Sequence, residues 1–106
     1  MNALSFPISA ALLDACVLAH LSIKDSYGYE ITQELSKLLQ VSESTIYPVL
    51  RRLQTTGLLS TYDQPYQGRM RRYYSLSGSG QKQLEVLRSD WQQFVRNVSE
   101  VLGKDG

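Results

Sequence analysis

Residues 42–76 read SESTIYPVLRRLQTTGLLSTYDQPYQGRMRRYYSL, and the hydrophobic period changes part-way through. Up to Gly57, the apolar residues Ile46, Val49, Leu50 and Leu53 recur at helical spacing. Ser42 stands where a cap belongs, Glu43 suits the first turn, and Gly57 suits the C-terminal stop. At about 100° per residue, the outer face of this helix carries Ser44, Tyr47, Pro48, Arg51 and Thr55, with Thr45 and Arg52 on its flanks. Pro48 removes one backbone donor, which is tolerable on an outer face because water or a ligand can serve the Ser44 carbonyl. Beyond Gly57, residues 58–63 predict a strand, 64–68 a loop and 69–76 a second strand, together a hairpin. Alternation places Arg69, Arg71, Tyr73 and Ser75 on one face of the second strand and Met70, Arg72, Tyr74 and Leu76 on the other.

Toward the N-terminus, Ser9 can cap a helix running to about Leu21. Leu12, Leu13, Cys16, Val17, His20 and Leu21 fall at helical spacing, and Leu18 widens the stripe enough for packing on more than one side. Asp25 or Ser26 then offers a cap for a second helix, in which Ile31, Leu35, Leu38 and Leu39 make the apolar face. Only Gln40, Val41 and Ser42 separate that helix from the next, so the two must cross steeply, as in a helix-turn-helix. Toward the C-terminus, SGSG (77–80) ends the hairpin and opens a long helix over 79–103. Its residues Leu84, Leu87, Trp91, Phe94, Val98 and Val101 are spaced as a heptad seam. Such a seam needs burial, against a second copy of the chain in a homodimer or against the first helix of the same chain.

The resulting expectation is a mainly α fold with a two-stranded β wing. Residues 1–78 form a winged helix-turn-helix and residues 79–106 a C-terminal dimerisation helix, the two making one compact domain.

Composition narrows the function classes. The 106 residues suffice for one domain, and 42% hydrophobic with 20% charged residues is a soluble, globular balance. No apolar run is long enough to span a bilayer, and the single Cys16 permits no internal disulfide, which suits a cytoplasmic setting. The formal charge is only +1, yet residues 42–76 set five arginines against Glu43 and Asp63. The basic charge is therefore segregated onto one region, as expected of a face that meets a polyanion. Catalysis is not indicated: His20 and Cys16 lie on one apolar helix without the third member of a nucleophile–base–orienter set. Two such ligands make no metal site, SGSG lacks the lysine of a phosphate-binding loop, and no cofactor is implied.

Helix, helix, tight turn, helix, then a hairpin with a charged tip is the order of a winged helix-turn-helix. There the third helix enters the major groove of a duplex and the hairpin reaches the neighbouring backbone or minor groove. The candidate DNA contacts are Ser44, Tyr47, Arg51 and Arg52 on the helix and Gly68, Arg69, Arg71 and Arg72 on the wing. Tyr73 and Tyr74 read as strand packing. Double-stranded DNA and a second copy of the chain are the expected partners, with no membrane.

Three stretches, SYGYEITQEL (26–35), SESTIYPVLRRLQTTGLLSTY (42–62) and GRMRRYYSLSGSGQKQL (68–84), together resemble the PadR family of transcriptional regulators. The likeness extends over about residues 9–95, and the short C-terminal part resembles the compact branch of that family. The resemblance implies a dimeric winged-helix repressor whose first and last helices build the dimer and which leaves its promoter when a small effector binds. It places Tyr47 and Arg51 on the DNA-facing helix and Gly68, Arg69, Arg71 and Arg72 in the wing. Trp91 falls where multidrug-binding members stack planar aromatic compounds, and Phe94 lies next to it on the seam. Met70 departs from the pattern, since many members have proline there, and the departure bears on the rigidity of the wing.

The competing readings are a winged-helix protein-interaction module without sequence-specific DNA binding and a small-molecule carrier without DNA function. The Ser, Tyr, Thr and Arg on the outer face of the third helix suit DNA better than a protein core.

Overall fold

A computed structural model describes residues 6–103. Helix α1 (Ala10–Ile23) is followed by a two-residue strand β1 (Ser26–Tyr27), helices α2 (Gly28–Leu39) and α3 (Glu43–Thr55), a hairpin of β2 (Leu59–Tyr66) and β3 (Arg69–Leu76), and the long helix α4 (Gly78–Leu102). The mainly α architecture with a β wing is as expected from the sequence. No helix among the described residues is long and apolar enough to cross a membrane.

Local chemistry accounts for most helix boundaries. The Ser9 hydroxyl accepts from the Leu12 N–H at 3.1 Å and starts α1. The Ser77 hydroxyl accepts from the Gly80 N–H at 3.0 Å and starts α4. At the end of α3 the Gly57 N–H donates to Gln54 and the Leu58 N–H to Leu53, with Gly57 at φ +85°. This double closure turns the chain sharply from helix into strand. Ser42 occupies the N-cap position of α3, but its hydroxyl bonds those of Ser44 and Thr45, at 3.0 and 2.8 Å, instead of a backbone donor.

Three sequence expectations change. The cap expected at Asp25 or Ser26 does not form; Tyr27 is the N-cap of α2 and contributes no side-chain cap bond. Those residues are drawn instead into β1, which pairs Ser26 with Tyr74 and Tyr27 with Tyr73, so the sheet has three strands in the order β1-β3-β2. The loop expected over 64–68 shrinks to Gln67 and Gly68, both at positive φ (51° and 79°). A two-residue turn with both centres left-handed matches the twist of the flanking strands, so pairing runs on to Tyr66↔Arg69. Pro65 is accommodated because β2 is an edge strand.

The core lies where the helices meet the root of the hairpin. Leu13, Val17, Leu18 and Leu21 of α1 pack with Ile31 and Leu35 of α2, with Ile46, Val49, Leu50 and Leu53 of α3, and with Leu59 and Leu84. The third correction concerns Leu84, which is fully buried in this core and is not presented on the seam to a partner. Farther along α4 the seam emerges into solvent: Leu87 is half-buried, while Trp91, Phe94 and Val101 are exposed.

Candidate nucleic-acid interface

The apolar stripe of α3 faces the core, which turns Ser44, Tyr47, Pro48 and Arg51 outward, all of them exposed. Tyr47 rests against the first residue of α2: a Cβ on Gly28 would lie 3.2 Å from its Cε1 atom. Gly28 therefore leaves the space that lets the ring lie along the α2–α3 junction. One turn further on, Arg51 makes no hydrogen bond or ion pair among the described residues. Arg52 does not share that freedom. Its guanidinium donates to Asp14 Oδ1 at 2.6 Å. That hydrogen bond first, and the charge of Asp14 second, raise its pKa above the ordinary arginine value. Arg52 thus ties α3 to α1 and is not a free cation on the groove-facing side.

On the wing, Gly68 forms the tip, and Arg69 beside it is exposed and unpaired among the described residues. Arg72 faces Asp63 across the hairpin with Nε 3.5 Å from Oδ1. This is an exposed pair of small energetic weight, so the cation is not firmly committed. Arg71 lies on the opposite face of β3, its guanidinium carbon 4.1 Å from the Tyr27 ring centre and 3.9 Å from that of Tyr66. Its Nη1 is buried without a hydrogen-bond partner. The same face continues inward through Tyr73, which stacks on Tyr62 at 5.5 Å and meets Tyr27 edge-on at 5.6 Å. The Tyr62 hydroxyl donates to Asp25 at 2.7 Å, and this bond above all keeps the phenol protonated beyond the usual range.

Tyr27 and Tyr66 are the partners that the sequence reading missed. Tyr66 was hidden by the loop expected over 64–68, and Tyr27 by a strand too short to alternate. The usable signal was parity: with a two-residue turn, Tyr62, Gln64 and Tyr66 share the face of Arg69, Arg71 and Tyr73.

Helix and wing come together around a cleft of about 350 Å³ lined by Tyr27, Gly28, Tyr29, Tyr47, Arg71 and Arg72, with Tyr74 behind. Tyr47 from α3 and two wing arginines thus border one space. A second concavity, about 420 Å³, lies between α1 and α4 and is walled chiefly by Leu12, Ala15, Leu87, Trp91 and Phe94. The Trp91 and Phe94 rings are 6.2 Å apart and remain 44% and 60% exposed. Chemically this is an apolar slot open on one side. Cys16 and His20 do not form a common site: His20 Nε2 approaches Glu34 of α2 at 3.5 Å, and burial raises the Cys16 thiol pKa. Among the described residues no three His, Cys, Asp or Glu side chains gather as metal ligands would.

Known proteins share this arrangement. The sequence model of the transcriptional regulator PadR-like family matches residues 17–86, which spans α2, α3 and the wing. The Streptococcus mutans protein smu.1704 has a crystal structure that superimposes with a TM-score of 0.86 at 40% identity, covering 97% of this chain and 98% of that one. A PadR-like transcriptional regulator from Bacillus cereus gives 0.78 at 32% identity, over 88% and 93% of the two chains. The Mycobacterium tuberculosis transcriptional regulator Rv3488 is 36% identical over 83 residues, 77% of this chain and 78% of its own length. With a helix-turn-helix, a basic wing and a family match over most of the chain, this protein belongs to the PadR-like family of transcriptional regulators, winged-helix proteins that bind DNA.

Proposed function

We propose that the protein is a homodimeric repressor that grips a two-fold symmetric operator with α3 and the wing, and that a planar aromatic effector bound between α1 and α4 releases it. The observation that carries this reading is the convergence of Tyr47 of α3 with the wing around one cleft, together with the unpaired, exposed guanidinium groups of Arg51 and Arg69. In such a grip Tyr47, Arg51 and Ser44 meet the major groove and its rim, while Gly68 lets the wing tip approach the backbone and Arg69 neutralises a phosphate. Arg52 and Arg72, held by Asp14 and Asp63, are auxiliary cations. On this reading residues 1–78 form the DNA-binding region, and residues 79–106 the dimerisation helix through Leu87, Trp91, Phe94, Val98 and Val101. The exposed apolar slot at Trp91 and Phe94 supports both the dimer and the effector.

The test is affinity for a duplex selected by the protein from a random-sequence pool, measured across salt concentrations. Six to ten phosphate contacts per dimer make the affinity fall roughly 10³–10⁵-fold between about 50 and 200 mM salt. Arg51→Ala and Arg69→Ala each lower both affinity and salt slope. Unchanged slopes for both variants would falsify the proposed DNA face.

A further inference from the structure

We infer that Arg71 is a positioning residue of the wing and not one of its phosphate ligands. It is a cationic wedge that locks the hairpin tip to the start of α2.

The hairpin is longer than the sheet that supports it. β1 pairs with β3 only at Tyr73 and Tyr74, so Arg69–Arg72 and Asp63–Tyr66 project as two strands alone. A bare two-stranded ribbon is marginally stable in water, yet this one must hold a basic tip at a fixed distance from α3. Arg71 answers that need. Its guanidinium touches the Tyr66 ring, which belongs to the residue just before the turn, and the Tyr27 ring, which belongs to the N-cap residue of α2. The two tyrosine centres are 6.4 Å apart, so the cation bridges rings from the two outer strands of the sheet. β3 lies between those strands and is the one position from which a side chain reaches both.

The state of Nη1 separates this role from direct contact. A phosphate ligand keeps its donors open, as Arg69 does. Arg71 Nη1 has no exposed surface and no oxygen partner, so what compensates its desolvation is the π faces of the tyrosines. A phosphate oxygen could reach that nitrogen only by dislodging the guanidinium from the rings, which would undo the contact between tip and helix. The wedge also stands next to Tyr47 around the shared cleft, so it fixes the wing relative to the DNA-facing helix.

This inference rests on the reading that α3 and the wing meet DNA, and the variants separate the two ideas. The full-length protein is titrated into a duplex selected from a random pool, at several salt concentrations, with thermal melting as a folding control. Tyr66→Leu removes a wall of the wedge without removing charge. It is expected to weaken binding roughly tenfold, about 1.4 kcal/mol, with an unchanged salt slope. Tyr66→Phe keeps the ring and binds as the parent does. Arg71→Gln matches Tyr66→Leu in size and slope, and the double variant is no weaker than either single one. The wedge is overturned if Arg71→Gln lowers the salt slope by about 0.9, the increment for one lost phosphate contact, while Tyr66→Leu binds normally. If Tyr66→Leu melts early, Arg71→Lys decides: a phosphate contact survives the retained charge, whereas the planar wedge does not. Arg69→Ala serves as the control. If it leaves affinity and slope untouched, the DNA face itself is wrong, independently of the wedge.

Discussion

Gly80 shows how much one missing methyl group can decide. α4 passes the end of α3 there so closely that a Cβ would lie 2.1 Å from the Leu58 carbonyl oxygen and 2.7 Å from a Leu76 methyl. The Leu58 backbone cannot yield, since its N–H is bonded to Leu53 and its carbonyl accepts from Ser77. Gly80→Ala is therefore expected to destabilise the fold by about 1–3 kcal/mol or more, in the range of overpacked cores, and to lower the urea midpoint accordingly. Gly78, two residues earlier, has open space around its Cα. Gly78→Ala should leave the midpoint unchanged or raise it by up to about 1 kcal/mol, because alanine narrows the unfolded ensemble. A reversed order of the two variants would show that α4 does not cross where described. The run SGSG was readable as a helix start, but nothing local in it distinguishes the two glycines. Only the approach of Leu58 from another part of the chain does.

The hairpin divides into what periodicity reveals and what it hides. The three helices of the helix-turn-helix were legible because Ile31, Leu35, Ile46, Leu50 and Leu53 form stripes with caps and stops at their ends, and all five are buried. The arginine-bearing face of β3 was legible from alternation. The partners of that face were not, because register depends on the turn, and the turn depends on Gln67 accepting φ +51° beside Gly68 at φ +79°. Charges were legible as residues but not as pairs: Arg52 with Asp14 and Arg72 with Asp63 are fixed by the fold. The tight turn makes its own prediction. Replacing Gly68 by Ala puts a Cβ into the left-handed region, at a cost of about 1–2 kcal/mol. The local opening rate of amides around Tyr66 and Arg69 should rise roughly five- to thirtyfold in hydrogen exchange, with the helical core unaffected. Gly68→Asn should show a smaller increase, since asparagine tolerates this conformation better. Equal exchange in all three proteins would mean that the turn is not the two-residue type.

The described chain is incompletely buried as a monomer, and the imbalance is confined to α4. A compact chain of about 100 residues has a radius of gyration near 13 Å, whereas this one has 15.5 Å and a longest extent of 54 Å. A 25-residue helix runs about 37 Å, and only Gly80 and Leu84 near its start are buried in the subunit. Trp91, Phe94, Val95, Val101 and Leu102 are left in water along the remainder, beside the open slot lined by Leu12 and Ala15 of α1. Covering such a row at about 25 cal/mol per Å² of apolar surface is worth several kcal/mol, and a symmetric copy supplies a matching stripe. The expected outcome is a protein that sediments as a dimer at micromolar concentration and melts at a temperature that rises with concentration. Phe94→Asp should sediment as a folded monomer, with a lower melting temperature that no longer depends on concentration. Leu84→Ala should behave differently, because Leu84 belongs to the subunit core. It should cost about 2–5 kcal/mol while the residual folded protein stays dimeric. A Phe94→Asp protein that still sediments as a dimer would place the interface elsewhere and leave the exposed stripe without its proposed partner.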